Sequence, residues 1–208
     1  MKVSRIIWAV ALCFAAAVVQ PSSSRAEDEE EGFEVVIGKD AKAFHLPRGN
    51  KRVKIVPAFE DYLFMVEDVC SSLSIKGDDC LIYTMNGEVS NALAAVIEGN
   101  KVIIYDRRLS GLVGSYEGAM GILAHEVAHH YCRHHFDVSK NNWQAELEAD
   151  RFAGASFKRM KYPLEAALAM AVVLDERPST SHPPADLRRK AIEAGWNKPE
   201  TGKMCRST

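Results

Sequence analysis

The pattern of apolar and polar positions divides the chain into a half with short strands and a half with helices. Short apolar runs predict extended strands at residues 33–37, 53–56, 80–85, 91–97 and 101–105. Glu98-Gly99-Asn100 separates the last two runs and is typical of a hairpin, and Asn86-Gly87 predicts another turn. Because mainly helical patterns follow these strands, the sequence predicts an α+β fold.

Helical spacing occurs at residues 57–72, 116–135, 142–160, 163–176 and 183–195. In the first helix, Pro57 suits the first turn. The apolar stripe of that helix consists of Phe59, Leu63, Val66, Val69 and Leu73. The core face of the second helix consists of Met120, Leu123, Val127 and Tyr131. Gly195 is expected to end the last helix.

Composition and charge indicate one globular domain and exclude one class of partner. The chain has 208 residues, of which 47% are hydrophobic, and 26 Lys and Arg stand against 28 Asp and Glu. A net charge of −2, without interleaved basic and aromatic residues, argues against nucleic-acid binding. The sequence leaves the oligomeric state open.

The N-terminus has the pattern of a secretory signal peptide. A basic start at Met1–Arg5 precedes the uncharged apolar run Ile6–Val19, and Ser24-Arg25-Ala26 fits a cleavage site. The run is short for a membrane span, and an uncleaved anchor is the alternative. We therefore expect an exported protein, periplasmic in a Gram-negative bacterium and otherwise secreted, with no stable membrane span after signal removal.

Four cysteines follow the predicted signal peptide, namely Cys70, Cys80, Cys132 and Cys205. An even number in an oxidising compartment predicts disulfides, with free buried thiols as the alternative. The sequence allows three pairings. Cys70 with Cys80 is the short-loop pairing, and Cys132 with Cys205 would then join the C-terminal tail to the second helix.

The candidate chemistry begins with the sequence His125-Glu126-Val127-Ala128-His129, which has the pattern H-E-x-x-H. Residues four apart share one helix face, so His125 and His129 can present two imidazoles to one metal ion. Glu126 lies close enough to act as a general base. The alternative is a solvated polar helix face, and the nearby His130, His134 and His135 are interpreted as polar surface or supporting residues.

A third ligand is predicted on the next helix, in the sequence Glu146-Leu147-Glu148-Ala149-Asp150. Glu146 and Asp150 share a face, and in an antiparallel helix pair they would face the histidines. We therefore expect Glu146 to bind the metal and Asp150 to accept the free N–H of His125. Glu148 is the rival ligand, although it points about 200° away from Glu146 around the helix.

These motifs resemble the gluzincin metallopeptidases, a family that includes the heat-shock protease HtpX, CAAX prenyl endopeptidases and periplasmic chaperone-proteases of outer-membrane assembly. The resemblance covers roughly residues 57–196. It depends on HEVAH, on ELEAD, on Asn91-Ala92 before a hairpin, and on Ser181-His182-Pro183 with Arg188. It implies a zincin-like fold, one Zn²⁺ per chain and a protein or peptide substrate. The implied zinc ligands are His125, His129 and Glu146, with Glu126 as general base.

Two further expectations follow from the resemblance alone. His182 and Arg188 are implied to lie near the active site and to act in catalysis, with an ordinary helix start and surface charge as the alternative. The segment Lys101–Tyr105 is implied to be an edge strand that pairs with an extended peptide. The glycine-rich hairpin usual in the family is Ile97-Glu98-Gly99-Asn100 here, and no membrane helices are apparent.

The sequence therefore predicts four parts: a signal peptide at 1–26, an N-terminal extension at 27–56, a zinc metallopeptidase domain at 57–196 and a tail at 197–208. The expected function is zinc-dependent peptide-bond hydrolysis in quality control of envelope proteins. The rival is an inactive, chaperone-like binding protein that retains the zinc site. A third possibility is autoinhibition, with His182 in the fourth zinc position.

Overall fold

The computed structural model describes residues 33–37, 43–45, 51–58, 60–134, 143–173 and 182–206. The strands are β1 (Phe33–Ile37), β2 (Ala43–His45), β3 (Lys51–Pro57), β4 (Ile82–Gly87), β5 (Ala92–Ile97) and β6 (Asn100–Tyr105). The α-helices are α1 (Glu60–Ser72), α2 (Arg107–Val113), α3 (Tyr116–Tyr131), α4 (Trp143–Arg159), α5 (Leu164–Ala167) and α6 (Ala185–Asn197). The predicted α+β class is confirmed.

The strands form one sheet in the order β2-β1-β3-β4-β6-β5. The predicted hairpin is confirmed: β5 and β6 are antiparallel, and Glu98 and Gly99 both have positive φ, as a two-residue turn of this kind requires. The prediction that Lys101–Tyr105 is an edge strand is wrong. Strand β6 lies between β4 and β5, because the short hairpin folds β5 onto its outer side, so β5 is the edge.

Helix α3, which carries HEVAH, runs through the interior beside this sheet. Ser115 caps its N-terminus by accepting a hydrogen bond from the N–H of Gly118. Met120, Leu123 and Val127 are buried as predicted, and most of the other residues of the helix are also buried. Helix α3 packs against α4, α1 and β5, so its polar side chains must find partners inside the protein.

Helices α4 and α6 cross at two glycines. A Cβ on Gly154 would lie 2.0 Å from the carbonyl oxygen of Ile192, and one on Gly195 would lie 1.8 Å from that of Arg151. The prediction that Gly195 ends the last helix is therefore wrong, because α6 continues to Asn197. Gly195 instead lets two helix backbones touch, which brings Arg188 of α6 to α4.

Several predicted boundaries differ in the structure. Pro57 belongs to β3 rather than to the first helical turn, and Asn86-Gly87 extends β4, so the chain turns after it. Leu63 is 42% exposed, because α1 buries the face that carries Met65, Val66 and Val69. The described part of the helix predicted at residues 163–176 has one short α-helical piece, α5, followed by the 3₁₀ helix Leu168–Val173.

Two disulfide bonds are present, Cys70–Cys80 and Cys132–Cys205. The prediction of disulfides is confirmed. Of the three pairings that the sequence allowed, the structure has the one that includes the short loop, Cys70 with Cys80. The second bond fixes the C-terminal tail to the end of α3, and Arg151 holds the tail further by donating to the carbonyl oxygens of Thr201 and Met204.

Several predictions lie outside the described residues, namely the signal peptide at 1–26, the placement of His135 and the break at 136–141. Within the described ranges, no helix has the length and apolar character that crossing a bilayer requires. Strand β3 pairs with β4, so the predicted N-terminal extension contributes strands to the same sheet as the predicted domain.

The glycine crossing gives a stability prediction. Gly154→Ala should lower the free energy of unfolding by about 1–3 kcal/mol or more, because the new Cβ overlaps backbone atoms that cannot move aside. Urea unfolding followed by circular dichroism measures the change.

The matched control is Gly111→Ala in the exposed part of α2, where a Cβ would meet no atom within 4 Å. The control should be neutral or raise stability by up to about 1 kcal/mol. Equal stability of Gly154→Ala and the wild type would contradict the prediction.

Candidate metal centre

Helix α3 brings two imidazoles together, as the spacing of its histidines predicted. The Nε2 atoms of His125 and His129 are 3.0 Å apart. His125 is 6% exposed, and His129 is only slightly more open. Two neutral imidazoles that both direct Nε2 lone pairs to one point form an arrangement that a cation between them would stabilise.

Glu146 of α4 adds a carboxylate to the same point. One of its oxygens, Oε2, lies 3.3 Å from Nε2 of His125, and the other, Oε1, lies 3.4 Å from Nε2 of His129. Ligand atoms at about 2.0–2.1 Å from a tetrahedral zinc are roughly 3.3 Å from each other. The three ligand groups therefore have the spacing of one face of such a tetrahedron.

The donor set fits a divalent metal such as zinc. Oε2 of Glu146 is buried and makes no hydrogen bond among the described residues, although Arg188 lies 3.5 Å away. A cation would therefore stabilise this oxygen further. Two imidazole nitrogens and one carboxylate are a known ligand set of catalytic zinc, which leaves a fourth position for substrate or water. The assignment of His125, His129 and Glu146 as metal ligands stays a prediction that this geometry supports.

Asp150 lies one turn beyond Glu146, where the sequence placed it. Nδ1 of His125 donates to Oδ1 of Asp150 over 2.9 Å, which leaves Nε2 free for a metal. Asp150 has 0% exposure, and Arg188 balances its charge through two hydrogen bonds of 2.8 and 2.9 Å. The Asp150–Arg188 pair thus holds the His125 ring in one tautomer and one orientation.

Glu126, the predicted general base, is buried beside the three ligand groups and is 7% exposed. Burial raises the pKa of Glu126 to about 7, and the nearby charge of Glu146 adds to the rise, while His125 opposes it. The backbone N–H of Ala94 in β5 donates to its carboxylate. This carboxyl group can therefore both accept and release a proton near neutral pH.

The ligand groups influence one another strongly. Burial alone would lower the pKa of His125, but its contacts with Asp150 and Glu146 outweigh burial and raise that pKa to about 10. Burial lowers the pKa of His129 well below its usual value. Burial opposes the ionisation of Glu146, yet its contacts with the histidines lower its pKa below the usual range. Protons and a metal would therefore compete for His125.

The structure places both residues implied by the resemblance near the centre. Nε2 of His182 lies 3.6 Å from Oε2 of Glu146, and the His182 side chain is 40% exposed. Arg188 is buried, and its nearest nitrogen lies 3.5 Å from the same oxygen of Glu146. Two nitrogens of Arg188 bind Asp150, so Arg188 supports the predicted ligand His125 by holding Asp150 in place. Catalytic roles for His182 and Arg188 stay predictions.

Two interpretations of the neighbouring histidines were open, polar surface or supporting residues, and burial excludes the surface for His130 and His134. His130 is 1% exposed rather than on the surface, and its Nε2 binds the carbonyl oxygen of Val102 in β6. His134 is also buried, and it contacts both His129 and Glu148. Glu148 lies within hydrogen-bond distance of His134 and not among the ligand groups at the His125–His129 pair. Sequence spacing did not reveal this contact between His134 and Glu148.

Metal binding can be tested on the third ligand group. Glu146→Gln should lower the affinity for zinc by more than about 100-fold, because a neutral amide replaces a carboxylate that faces both histidines. Competition with a chromogenic chelator measures the affinity, and Glu165→Gln on exposed α5 is the control. Unchanged zinc affinity in Glu146→Gln would contradict the assignment.

Comparison with known proteins adds one finding to this geometry. The family model described as peptidase family M48 matches residues 62–141, which include most of α1, the β5–β6 hairpin and the whole of α3. No curated protein and no solved structure gives a match. The match thus contains His125, Glu126 and His129, and it ends before Glu146.

Proposed function

We propose, from the premise that the chain belongs to peptidase family M48, that it is an exported zinc-dependent endopeptidase. Membership of that family makes it a metallopeptidase, which acts on proteins or peptides. The observation that carries the choice of zinc is the triangle of His125 Nε2, His129 Nε2 and Glu146 beside the buried Glu126. A buried carboxyl group with a pKa near neutrality beside these ligand groups is typical of a catalytic site.

The residues of the chain have complementary roles in hydrolysis. When bound, zinc would lower the pKa of a water molecule and polarise the scissile carbonyl. Glu126 accepts the proton of the attacking water and then donates it to the leaving amine. His125 and His129 present neutral Nε2 atoms, and Asp150 with Arg188 prevents the His125 ring from rotating. His182, at the open side of Glu146, is proposed to stabilise the developing oxyanion.

The substrate is proposed to bind as an extended peptide along β5. This strand is the edge of the sheet, so one side of its backbone can pair with another chain. The N–H of Ala94 contacts Glu126, which places the general base next to this edge. Val96 is 41% exposed and leaves room beside the strand. Pairing through backbone groups would accept many sequences, as quality control of unfolded envelope proteins requires.

Cleavage of casein tests the proposal against its main rival, an inactive chaperone-like binding protein. We expect the zinc-loaded wild type to cleave casein, a chelator to stop cleavage and added zinc to restore it. Glu126→Gln should bind zinc with near wild-type affinity and lose at least about 100-fold in kcat, because the general base is absent. Full activity of Glu126→Gln would contradict the mechanism, and wild-type binding of casein without any cleavage would favour the rival.

The pH profile tests the same carboxyl group. Glu126 must be ionised to accept a proton, so kcat/KM should fall as the pH drops through the pKa of this group. That pKa is about 7 from the protein environment, and a cation bound nearby would lower it. We therefore expect an acid limb between about pH 5 and 7 in zinc-saturated enzyme. A constant kcat/KM between pH 5 and 8 would contradict the assignment of Glu126.

A second arrangement of the same site is autoinhibition by His182. Its Nε2 lies 3.6 Å from Oε2 of Glu146, close enough for a small movement to bring it to the fourth position. In that case His182→Ala would raise cleavage of casein, whereas a role in transition-state stabilisation predicts a loss. The sign of the change separates the two roles.

A further inference from the structure

We propose that His134 and Glu148 are positioning residues that fix the tautomer and the ring orientation of His129. This inference rests on the proposed function, because it assigns a support to one of the proposed zinc ligands. It concerns a pair of residues that H-E-x-x-H and E-x-x-x-D do not include.

The first observation is a hydrogen bond between two histidines. Nδ1 of His134 lies 2.9 Å from Nδ1 of His129, on the side of the His129 ring that faces away from the ligand triangle. A neutral imidazole has one N–H and one lone pair. To offer the lone pair of Nε2 to a metal, His129 must carry its proton on Nδ1 and donate it to His134.

The second observation is a carboxylate that determines the tautomer of His134. If Nδ1 of His134 accepts a proton from His129, then its Nε2 must carry the proton of His134. That Nε2 lies 3.2 Å from Oε2 of Glu148, and the two side chains are only 1% and 3% exposed. The two hydrogen bonds therefore run in one direction, from His129 to His134 and from His134 to Glu148.

The third observation is that other donors fix Glu148. Nε2 of Gln144 donates to its Oε1 over 2.9 Å, and the backbone N–H of Arg206 donates to both oxygens over 3.1 and 3.2 Å. Together with His134, these groups give Glu148 three donors. Glu148 is therefore a fixed acceptor and has no need of a metal. The disulfide Cys132–Cys205 places the N–H of Arg206 there.

A second metal site is the alternative interpretation of His134 and Glu148. Ligand atoms of Cys132, His134 and Glu148 lie within 4.8 Å of one another. The sulfur of Cys132 is bonded to Cys205, however, so it is not available as a thiolate ligand. The imidazole and the carboxylate are therefore left to bind each other and His129.

The two proposed histidine ligands thus have parallel supports, both from α4. Asp150 binds Nδ1 of His125 directly, and Glu148 acts on Nδ1 of His129 through His134. Loss of such a support commonly lowers metal affinity by about 10–100-fold. We expect the same range for the loss of His134.

The test compares zinc affinity, by chelator competition, in full-length variants with both disulfides intact. His134→Leu should lose about 10–100-fold, because Leu offers no acceptor to His129. His134→Gln should recover most of the affinity, because an amide oxygen can accept from His129 while the amide N–H donates to Glu148. The control is His130→Gln. His130 is a buried histidine of α3 that contacts Val102 instead, and this variant should stay within about 3-fold of the wild type.

Equal losses in His134→Leu and His134→Gln, or wild-type affinity in both, would overturn the proposal. A loss in His130→Gln as large as that in His134→Leu would also overturn it, since a general loss of stability would then explain both. A wild type that binds zinc but is insensitive to His134 rejects this inference alone. A wild type that binds no zinc rejects the proposed function as well.

One measurement needs no variant. Nitrogen-15 NMR of the zinc-loaded wild type reports which nitrogen of each imidazole carries a proton. We expect His129 to be protonated on Nδ1 and His134 on Nε2. A proton on Nδ1 of His134 would overturn the proposal even where the Leu variant fails to fold.

Discussion

The structure depends on the pairing of α3 with α4, because these two helices bury charged groups that neither could bury alone. Asp150, Glu146 and Glu126 lie in surroundings where an uncompensated carboxylate costs several kcal/mol. Each is satisfied from another element: Asp150 by His125 and Arg188, Glu126 by the N–H of Ala94, and Glu146 only in part. The incomplete satisfaction of Glu146 is what makes this place suited to a cation.

The rest of the fold can be understood as support for that pairing. The sheet places the edge strand β5 against α3, and the crossing at Gly154 and Gly195 brings α6 close enough for Arg188 to reach Asp150. The tail returns to α4, where Arg206 binds Glu148. Four separate parts of the chain therefore meet around two turns of α3, and their polar contacts support one another.

Local spacing was sufficient to predict which side chains of α3 and α4 meet. His125 and His129 share a face because they are four residues apart, and Glu146 and Asp150 meet them because the two helices are antiparallel neighbours. The hairpin at Glu98-Gly99 was predictable for the same reason, since its turn is determined by adjacent residues.

Contacts between distant residues were not predictable from spacing. The position of β6 inside the sheet and the role of Gly195 are examples. The contact between His134 and His129 was not predicted, because residues five apart lie about 140° apart around a regular helix. Arg133 leaves that regular path with φ of 57° and directs His134 back to His129.

The Cys132–Cys205 bond has a consequence for the durability of the proposed enzyme. It closes a covalent ring with a sequence separation of 73, and the ring contains α4, α5 and α6. One backbone cut anywhere between these cysteines opens the ring but leaves both fragments joined through sulfur. An endopeptidase that nicks itself between α3 and α4 would therefore keep HEVAH and ELEAD in one molecule, and autolysis there would not by itself separate the two halves of its centre.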